Sequence, residues 1–276
     1  MSSEVIVQLS EVPGERHCER PKGARQSKKI ASSLSLLAMT RLLPNAELLP
    51  SEFDFEVLDL GLIAYRDGFS LQQDLVNEIA SGKRKSVLIF CEHNPVITLG
   101  RSAKKENVLK PDQQLKSLGI EVVHTNRGGD VTLHLPGQLV VYPIFDLRCL
   151  GRDIGLFLRN IEKAIITMLK AYRIKAVDLE GSTGVWVDQK KIASIGIAVR
   201  NWVSYHGLSL NVHCNLDLFS LIRPCGQDIM MTSMARFLSP DVLSISEIKR
   251  RLTDSFRQEF VRGEIPSHKQ YFNFKG

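Results

Sequence analysis

From Phe55 onward the apolar positions switch repeatedly between a period of two and a period near 3.6. "FEVLDLGL" predicts a strand, after which Tyr65, Phe69, Leu75, Val76 and Ile79 recur at roughly the spacing of one helix face. "SVLIFCEH" and "PVITLG" predict two short strands flanking Asn94-Pro95, and "PDQQLKSLG" a short helix leading into the strand "IEVVHT". "DVTLH" and "QLVVYPIFDL" predict two more strands, separated by the turn signal Leu135-Pro136-Gly137. A long helix follows, with Asp153 as its candidate cap and Ile154, Phe157, Leu158, Ile161, Ile165, Met168 and Leu169 on one face. "GVWV", "KIASIGIAV" and "VSYHGLSLNV" predict three consecutive antiparallel strands, joined at Asp188-Gln189-Lys190 and near Asn201-Trp202. The last helix opens with a capping box, Ser244-x-x-Glu247, and carries Ile245, Ile248, Leu252, Phe256 and Phe260 at spacings of three and four. The pattern predicts one α/β (α+β) domain with a mostly antiparallel sheet and no internal repeat.

Residues 1–50 differ from the rest. They hold four prolines and the polar stretch "GERHCERPKGARQSKK" with little periodicity, which predicts a disordered extension. Glu4, Glu11, Glu15 and Glu19 argue against a transit peptide, and no apolar segment follows a basic start. "KKIASSLSLLAMTRLL" is mildly transit-like but internal, and Met39 offers an alternative start. A hydrophobic content of 43% over 276 residues supports a real core, and no run of 18 apolar residues predicts a membrane span. The five cysteines are scattered, odd in number and without a C-x-x-C pair. That argues against a disulfide framework or zinc ribbon and fits a reducing, cytoplasmic compartment. The net charge of +6 is mild. Either a basic patch for an acidic partner or an ordinary solvated surface accounts for it, and composition alone favours the second. No Lys/Arg block interleaves with aromatics, which sets nucleic acid aside.

Three stretches carry candidate chemistry. In "RGGDVTLHLPGQ" (Arg127 to Gln138), Gly128-Gly129 allow a tight turn with uncovered N–H groups, one way to hold a carbonyl or oxyanion. Thr132 and His134 fall on one face of the next strand; a plain Gly-Gly hairpin with a solvated histidine fits the same letters. Neither G-x-G-x-x-G nor G-K-[ST] is present. In "KKIASIGIAV", strict alternation puts Lys191, Ala193, Ile195 and Ile197 on one face, with Ile192, Ser194, Gly196 and Ala198 on the other. A lysine sharing a face with two isoleucines enters an apolar region that would depress its pKa; the alternative is a frayed strand end with its ammonium in water. Ser194 and Gly196 are small and leave room for a substrate. In "SLIRPCGQDI" (Ser220 to Ile229), Pro224 and Gly226 place Cys225 on a turn, where a thiol can face a pocket or lie idle on the surface. His206, His213, Cys214 and Cys225 match no common zinc spacing, so no metal is expected.

"EHNPVITLGR" (Glu92 to Arg101), "RGGDVTLHLPGQ", "KIASIG" (Lys191 to Gly196), "YHGLSLNV" (Tyr205 to Val212) and "IRPCG" (Ile222 to Gly226) occur in the order and spacing of the lipoyl(octanoyl) transferases. Over about residues 55–262 the chain resembles that family, the octanoyl-[acyl-carrier-protein]:protein N-octanoyltransferases of lipoate biosynthesis. The resemblance implies the fold shared by lipoate and biotin protein ligases, a central mixed sheet with helices around it and a deep acyl pocket, here over 55–265. It implies Cys225 as the nucleophile that takes the acyl group as a thioester, and Lys191 as the partner that lowers the thiol pKa and shuttles protons. It implies a substrate pocket lined by Arg127, Gly128, Gly129, Asp130, Val131, Thr132, Leu133, His134, Ser194, Ile195, Gly196, Gly207, Leu208 and Ser209. The implied donor is octanoyl-acyl carrier protein. The implied acceptors are lipoyl domains of 2-oxoacid dehydrogenase E2 subunits and the glycine cleavage H protein, with no cofactor and a monomeric enzyme. An ATP-dependent lipoate–protein ligase on the same fold would not need Cys225, and a carrier-binding module without catalysis would not need Cys225 or Lys191. One departure stands out. Leu135 replaces the glycine of the family's H-G-P-G-Q, and is expected to keep the turn and take up volume beside His134. It would shorten the preferred acyl chain or slow octanoate entry if it points into the pocket, and be neutral if it points outward.

Overall fold

The computed structural model describes residues 53–224 and 228–261. The strands are β1 (Phe55–Ile63), β2 (Ser86–His93), β3 (Val96–Leu99), β4 (Glu121–His124), β5 (Val131–His134), β6 (Gln138–Ile144), β7 (Val177–Leu179), β8 (Ser182–Val187), β9 (Lys190–Arg200) and β10 (Val203–Asn211). The helices are α1 (Tyr65–Ala80), α2 (Asp112–Ser117), α3 (Ile154–Ala171) and α4 (Ile245–Phe260).

These strands form the expected central, mostly antiparallel sheet and, beside it, a small second sheet that was not foreseen. The larger runs β1-β2-β6-β10-β9-β8-β7 and the smaller β4-β3-β5. Among the named strands only β1·β2 and β3·β4 pair in parallel, so the architecture is mixed and largely antiparallel. The chain changes sheet twice, at Asn94-Pro95 between β2 and β3 and at Leu135–Gly137 between β5 and β6. Neither switch is visible in a local pattern, because both flanking strands are apolar and the deciding partners lie far away in sequence. The short strand β7, Val-Asp-Leu and exposed at all three positions, is too brief for its alternation to mark a strand and was not expected.

Helices cover both faces of the large sheet. Leu88 and Phe90 of β2 point with Leu139, Val141 and Leu208 into a core closed by Ile161 and Ile165 of α3 and by Ile248, Leu252 and Phe256 of α4. The alternate residues Val87, Ile89 and Cys91 pack with Val140 and Tyr142 against Leu75, Val76 and Ile79 of α1. Because β2 is buried on both sides it reads as an unbroken apolar run. Asp153 caps α3 by accepting the Leu156 N–H at 2.8 Å. Ser244 caps α4 through the Glu247 N–H, but the Glu247 carboxylate pairs with Arg250 and Arg251, so the expected box is half formed. Those contacts, the Arg250 hydrogen bond first, pull the Glu247 pKa down to about 2.

Leu135 belongs to this architecture and not to a pocket. It is 2% exposed and packs with Ile97, Leu115, Leu133, Phe219 and Ile222 under the small sheet. The turn it opens is kept, with the Gln138 N–H donating to the Leu135 carbonyl at 3.1 Å.

Candidate active site

Where the small sheet leans on the large one, a turn from β4 to β5 is bonded across the gap. The Gly128 N–H donates to the Ile197 carbonyl of β9 at 2.8 Å. On β9 the facing residue is Gly196, where a Cβ would stand 2.7 Å from the Gly128 carbonyl oxygen. Only a glycine permits that approach. Arg127, 8% exposed, donates through Nε to the Thr98 hydroxyl (3.1 Å), and through its terminal nitrogens to the carbonyls of Thr98 (2.7 Å), Asp130 (2.7 Å) and Gly128 (3.0 Å). The guanidinium is a strut that holds the turn closed. The Gly128 N–H is therefore not an uncovered donor for an oxyanion, one of the two readings the sequence left open for this turn.

A cavity opens between this turn, β9, β10 and α1. Of the residues implied by motif, Arg127, Gly129, Asp130, Val131, Thr132, His134, Ser194, Ile195, Gly196, Gly207, Leu208 and Ser209 line it, together with Lys191. Two do not: Gly128 faces Ile197, and Leu133 turns away from the cavity into the small-sheet core. Tyr65, Val140, Tyr142, His206 and Pro224 line it without having been singled out as pocket residues. Tyr65 and Tyr142 sit at apolar positions of an α1 face and of β6, where periodicity cannot distinguish a tyrosine that packs from one that lines a pocket. His206 lay within a quoted motif but was weighed only as a metal ligand.

The cavity floor is aromatic and hydrogen-bonded. Gln138 Nε2 donates to the Leu133 carbonyl and to Asn211 Oδ1, which aims its Oε1 at His134 Nδ1, 2.8 Å away, and assigns the proton to that nitrogen. His93 Nδ1 donates to the Ile63 carbonyl at 2.9 Å, so its Nε2 accepts the Tyr142 hydroxyl at 2.7 Å. His206 Nε2 donates to Asn126 Oδ1 at 2.8 Å, since the Asn126 amide group donates to Tyr205. Burial holds all three imidazoles neutral. His134 and His206 are pushed down to about 3, with smaller contributions from His93 and Arg127 respectively, and His93 is also lowered. The alternative of a solvated histidine at 134 is thus excluded. Tyr65 lies parallel to the His134 ring at 6.1 Å, and Phe69 to the His206 ring at 5.3 Å.

His206 reaches the floor through an unusual backbone. Its φ is +58°, and its N–H donates to Gln72 Oε1 of α1 at 2.7 Å. Between the pairs Leu208↔Val141 and Val203↔Asp146, β6 carries Pro143, which has no N–H to offer. The next residue, Gly207, lies so close to β6 that a Cβ would collide with the Val141 carbonyl.

Lys191 stands on the cavity wall by way of a bulge. The β8–β9 register runs Val185↔Ala193 but Trp186↔Lys191, so one extra residue of β9 lies between the two pairs. Ile192 and Ala193 both pack toward α3 and α4, and Lys191 joins Ser194 and Gly196 on the cavity side. Strict alternation had assigned Lys191 to the opposite face, with Ile195 and Ile197. It is 7% exposed, so the frayed, hydrated end is excluded as well.

Cys225 lies outside the described residues, but the chain on either side of it is anchored. Upstream, Ile222 pairs with Val108, the Arg223 N–H donates to the Asn107 carbonyl at 2.8 Å, and Pro224 lines the cavity. Downstream, Met231 pairs in parallel with Lys191 itself: the Lys191 N–H donates to the Met230 carbonyl and the Thr232 N–H to the Lys191 carbonyl, each at 2.9 Å. Among the described residues no group of three or more His, Cys, Asp or Glu is placed to hold a metal ion, and no helix is long and apolar enough to cross a membrane.

Residues 64–257 match the lipoyl protein ligase A/B catalytic domain family. The octanoyltransferase of Syntrophotalea carbinolica is 42% identical over 212 residues, covering 76% of this chain and 96% of that one. That of Solibacter usitatus is 44% identical over 207 residues, covering 75% and 93%. Among solved structures, lipoate-protein ligase A bound with ATP aligns with a TM-score of 0.56 at 19% identity, covering 76% of this chain and 85% of that one. LipL1 of P. falciparum in complex with lipoate aligns with a TM-score of 0.60 at 13% identity, covering 76% and 63%. At such identities these two structures speak for the fold alone.

Proposed function

The chain belongs to the lipoyl protein ligase A/B catalytic domain family and is an acyltransferase, and from that premise we propose that it carries octanoyl from octanoyl-acyl carrier protein to a lysine of a lipoyl domain through a thioester on Cys225. One observation carries the reading. Pro224, next to Cys225, lines the same cavity as Lys191, and the chain returning from the Cys225 turn is hydrogen-bonded to Lys191.

An ordinary thiol, with a pKa near 8.5, is only a few per cent thiolate at pH 7, and a neighbouring ammonium raises that share. The Cys225 sulfur bonds to the acyl carbon, the carbon–sulfur bond to the carrier breaks, and the departing carrier thiolate takes the proton of the Lys191 ammonium. The acceptor lysine's amine then attacks the enzyme thioester. Its carbon–nitrogen bond forms, its proton passes to the neutral Lys191 amine, and Cys225 leaves again as thiolate. Thioester exchange is nearly neutral in energy and amide formation is downhill, so no nucleotide is required. Lys191 must both give and accept a proton, which an arginine cannot do near neutral pH.

The floor suits an apolar acyl chain because its imidazoles are neutral and their assigned donors are already bonded to protein acceptors. Burying about six methylenes contributes on the order of 5 kcal/mol of recognition, at ~0.8 kcal/mol each. The Arg127 turn, Ser194 to Gly196 and Gly207 to Ser209 would flank that chain. The catalytic unit is assigned to 55–265, preceded by a dispensable segment over 1–50, and the enzyme acts as a cytoplasmic monomer. The acceptors are lipoyl domains of 2-oxoacid dehydrogenases and the glycine cleavage H protein.

Intact-mass measurement after incubation with octanoyl-acyl carrier protein tests the intermediate. A hydroxylamine-labile octanoyl adduct should form on the native chain and be absent from Cys225→Ala. The same adduct on Cys225→Ala would overturn the assignment.

A further inference from the structure

The wall behind Lys191 is more specialised than a packing surface needs to be. Across the bulge its cross-strand partner on β8 is Trp186, and the Lys191 ammonium nitrogen lies over the indole at 5.0 Å from the ring centroid. Both residues are buried, at 7% and 6% exposure, so the attraction between cation and ring acts with little competition from water. Two residues earlier on the same face is Gly184, at φ +130°. A Cβ there would overlap the Lys191 Cε and stand 3.1 Å from its Nζ, so the lysine stem crosses β8 through the space the missing side chain leaves. Gly184 is itself pinned, its N–H donating to Glu162 Oε1 of α3 at 2.9 Å.

We propose that Trp186 and Gly184 are positioning residues for the transfer reaction: Gly184 opens the path for the Lys191 stem and the Trp186 ring holds the ammonium at the cavity wall. The bulge orients Lys191, the glycine sets the route of its side chain, and the ring favours its charged form in a place where burial alone would oppose charge. This inference rests on Lys191 acting in acyl transfer as proposed above, and its test separates the two.

The protein has two tryptophans, and Trp202 lies in the β9–β10 turn, away from the cavity lining. In a Trp202→Phe, Cys225→Ala chain, Trp186 is the sole indole and no cavity thiol titrates. Its emission should titrate with Lys191, and the inflection should vanish in Lys191→Met. Persistence of that inflection in Lys191→Met overturns the ring contact whatever the activity. Full activity of Lys191→Met in the otherwise native chain would instead sink the proposed function and leave the optical result to decide the contact.

Transfer kinetics in the native chain supply the second readout. Trp186→Leu should lower kcat by about 3- to 30-fold with little change in KM, and move the alkaline limb of the rate profile down by about half a pH unit to one and a half. Trp186→Phe, which keeps a ring, should recover part of both. Of the other groups facing Lys191, the imidazoles stay neutral and the phenols of Tyr65 and Tyr142 are raised by burial, while Arg127, Asp130 and Glu162 are common to all variants compared. Leucine and phenylalanine variants with the native alkaline limb, and only a lower Tm, would reduce Trp186 to packing and overturn the proposal.

Discussion

The floor and the wall of the cavity are built in opposite ways. On the floor His134 and His206, and behind it His93, are buried, and their ring donors or acceptors are matched to Gln138, Asn126, Ile63 and Tyr142. Three side chains that could do acid–base chemistry are thereby kept neutral. On the wall, a buried lysine is hydrogen-bonded through its backbone to the chain returning from Cys225, and its ammonium lies over the Trp186 ring. Histidine content is thus a poor guide to where the proton moves. What separates the regions is the form their surroundings favour: burial and fixed hydrogen bonds keep the imidazoles neutral, while an aromatic ring lies against the lysine's cation.

Breaking the wall should have the largest effect. Lys191→Ala and Lys191→Arg should each lower transfer by about 10²- to 10⁴-fold, the range typical of a lost proton-transfer group. The arginine variant keeps the charge, so near-native transfer by Lys191→Arg, measured with carrier-bound octanoate, would show that charge alone suffices. Thiol alkylation at pH 7 should also slow in Lys191→Ala.

Next in size is Leu135→Gly. Removing a fully packed leucine from the small-sheet core should cost about 2–5 kcal/mol, read as a lower denaturant midpoint. The preference among hexanoyl, octanoyl and decanoyl donors should not change, because the side chain faces away from the cavity. A shifted profile at unchanged stability would reverse that placement.

The floor can be probed with acid. For His134 and His206 the folded pKa is depressed to about 3, below the unfolded value near 6.5. The native state therefore binds fewer protons, and stability fully present above pH 6.5 is lost as pH falls from there toward 3. By pH 5 the loss should be about 2 kcal/mol per histidine. His134→Gln should flatten the stability–pH curve measured by urea unfolding between pH 5 and 7; an unaltered slope would mean that His134 is not held neutral.

The smallest effect concerns encounter rather than chemistry. With a net charge of +6, the chain should show a KM for acidic protein substrates that rises a few-fold between low and moderate ionic strength, while kcat holds. A flat KM would argue against steering.

How much of this was legible in the letters depends on the range of the interaction. The long helices, the cap at Asp153 and the β8–β9–β10 meander follow from local periodicity and turn chemistry. Asp188-Gln189 and Asn201-Trp202 adopt positive φ at both turn positions, as tight hairpins require. The five motifs and their order likewise identified the family and marked most of the cavity-lining residues. The small sheet, the face of Lys191, the bond that occupies the Gly128 N–H and the burial of Leu135 were not legible. Each is settled by partners far apart in sequence: β3 chooses β4 and β5, Gly128 meets Ile197, and Leu135 meets Phe219. Lys191 shows the reason most plainly. Side chains alternate with a period of two, so a single bulged residue exchanges the two faces of a strand, and whether a bulge forms depends on how β8 and the returning Met230–Thr232 segment pair with β9. Residue types and local spacing are written along the chain; which face a residue presents is decided by its neighbours in space.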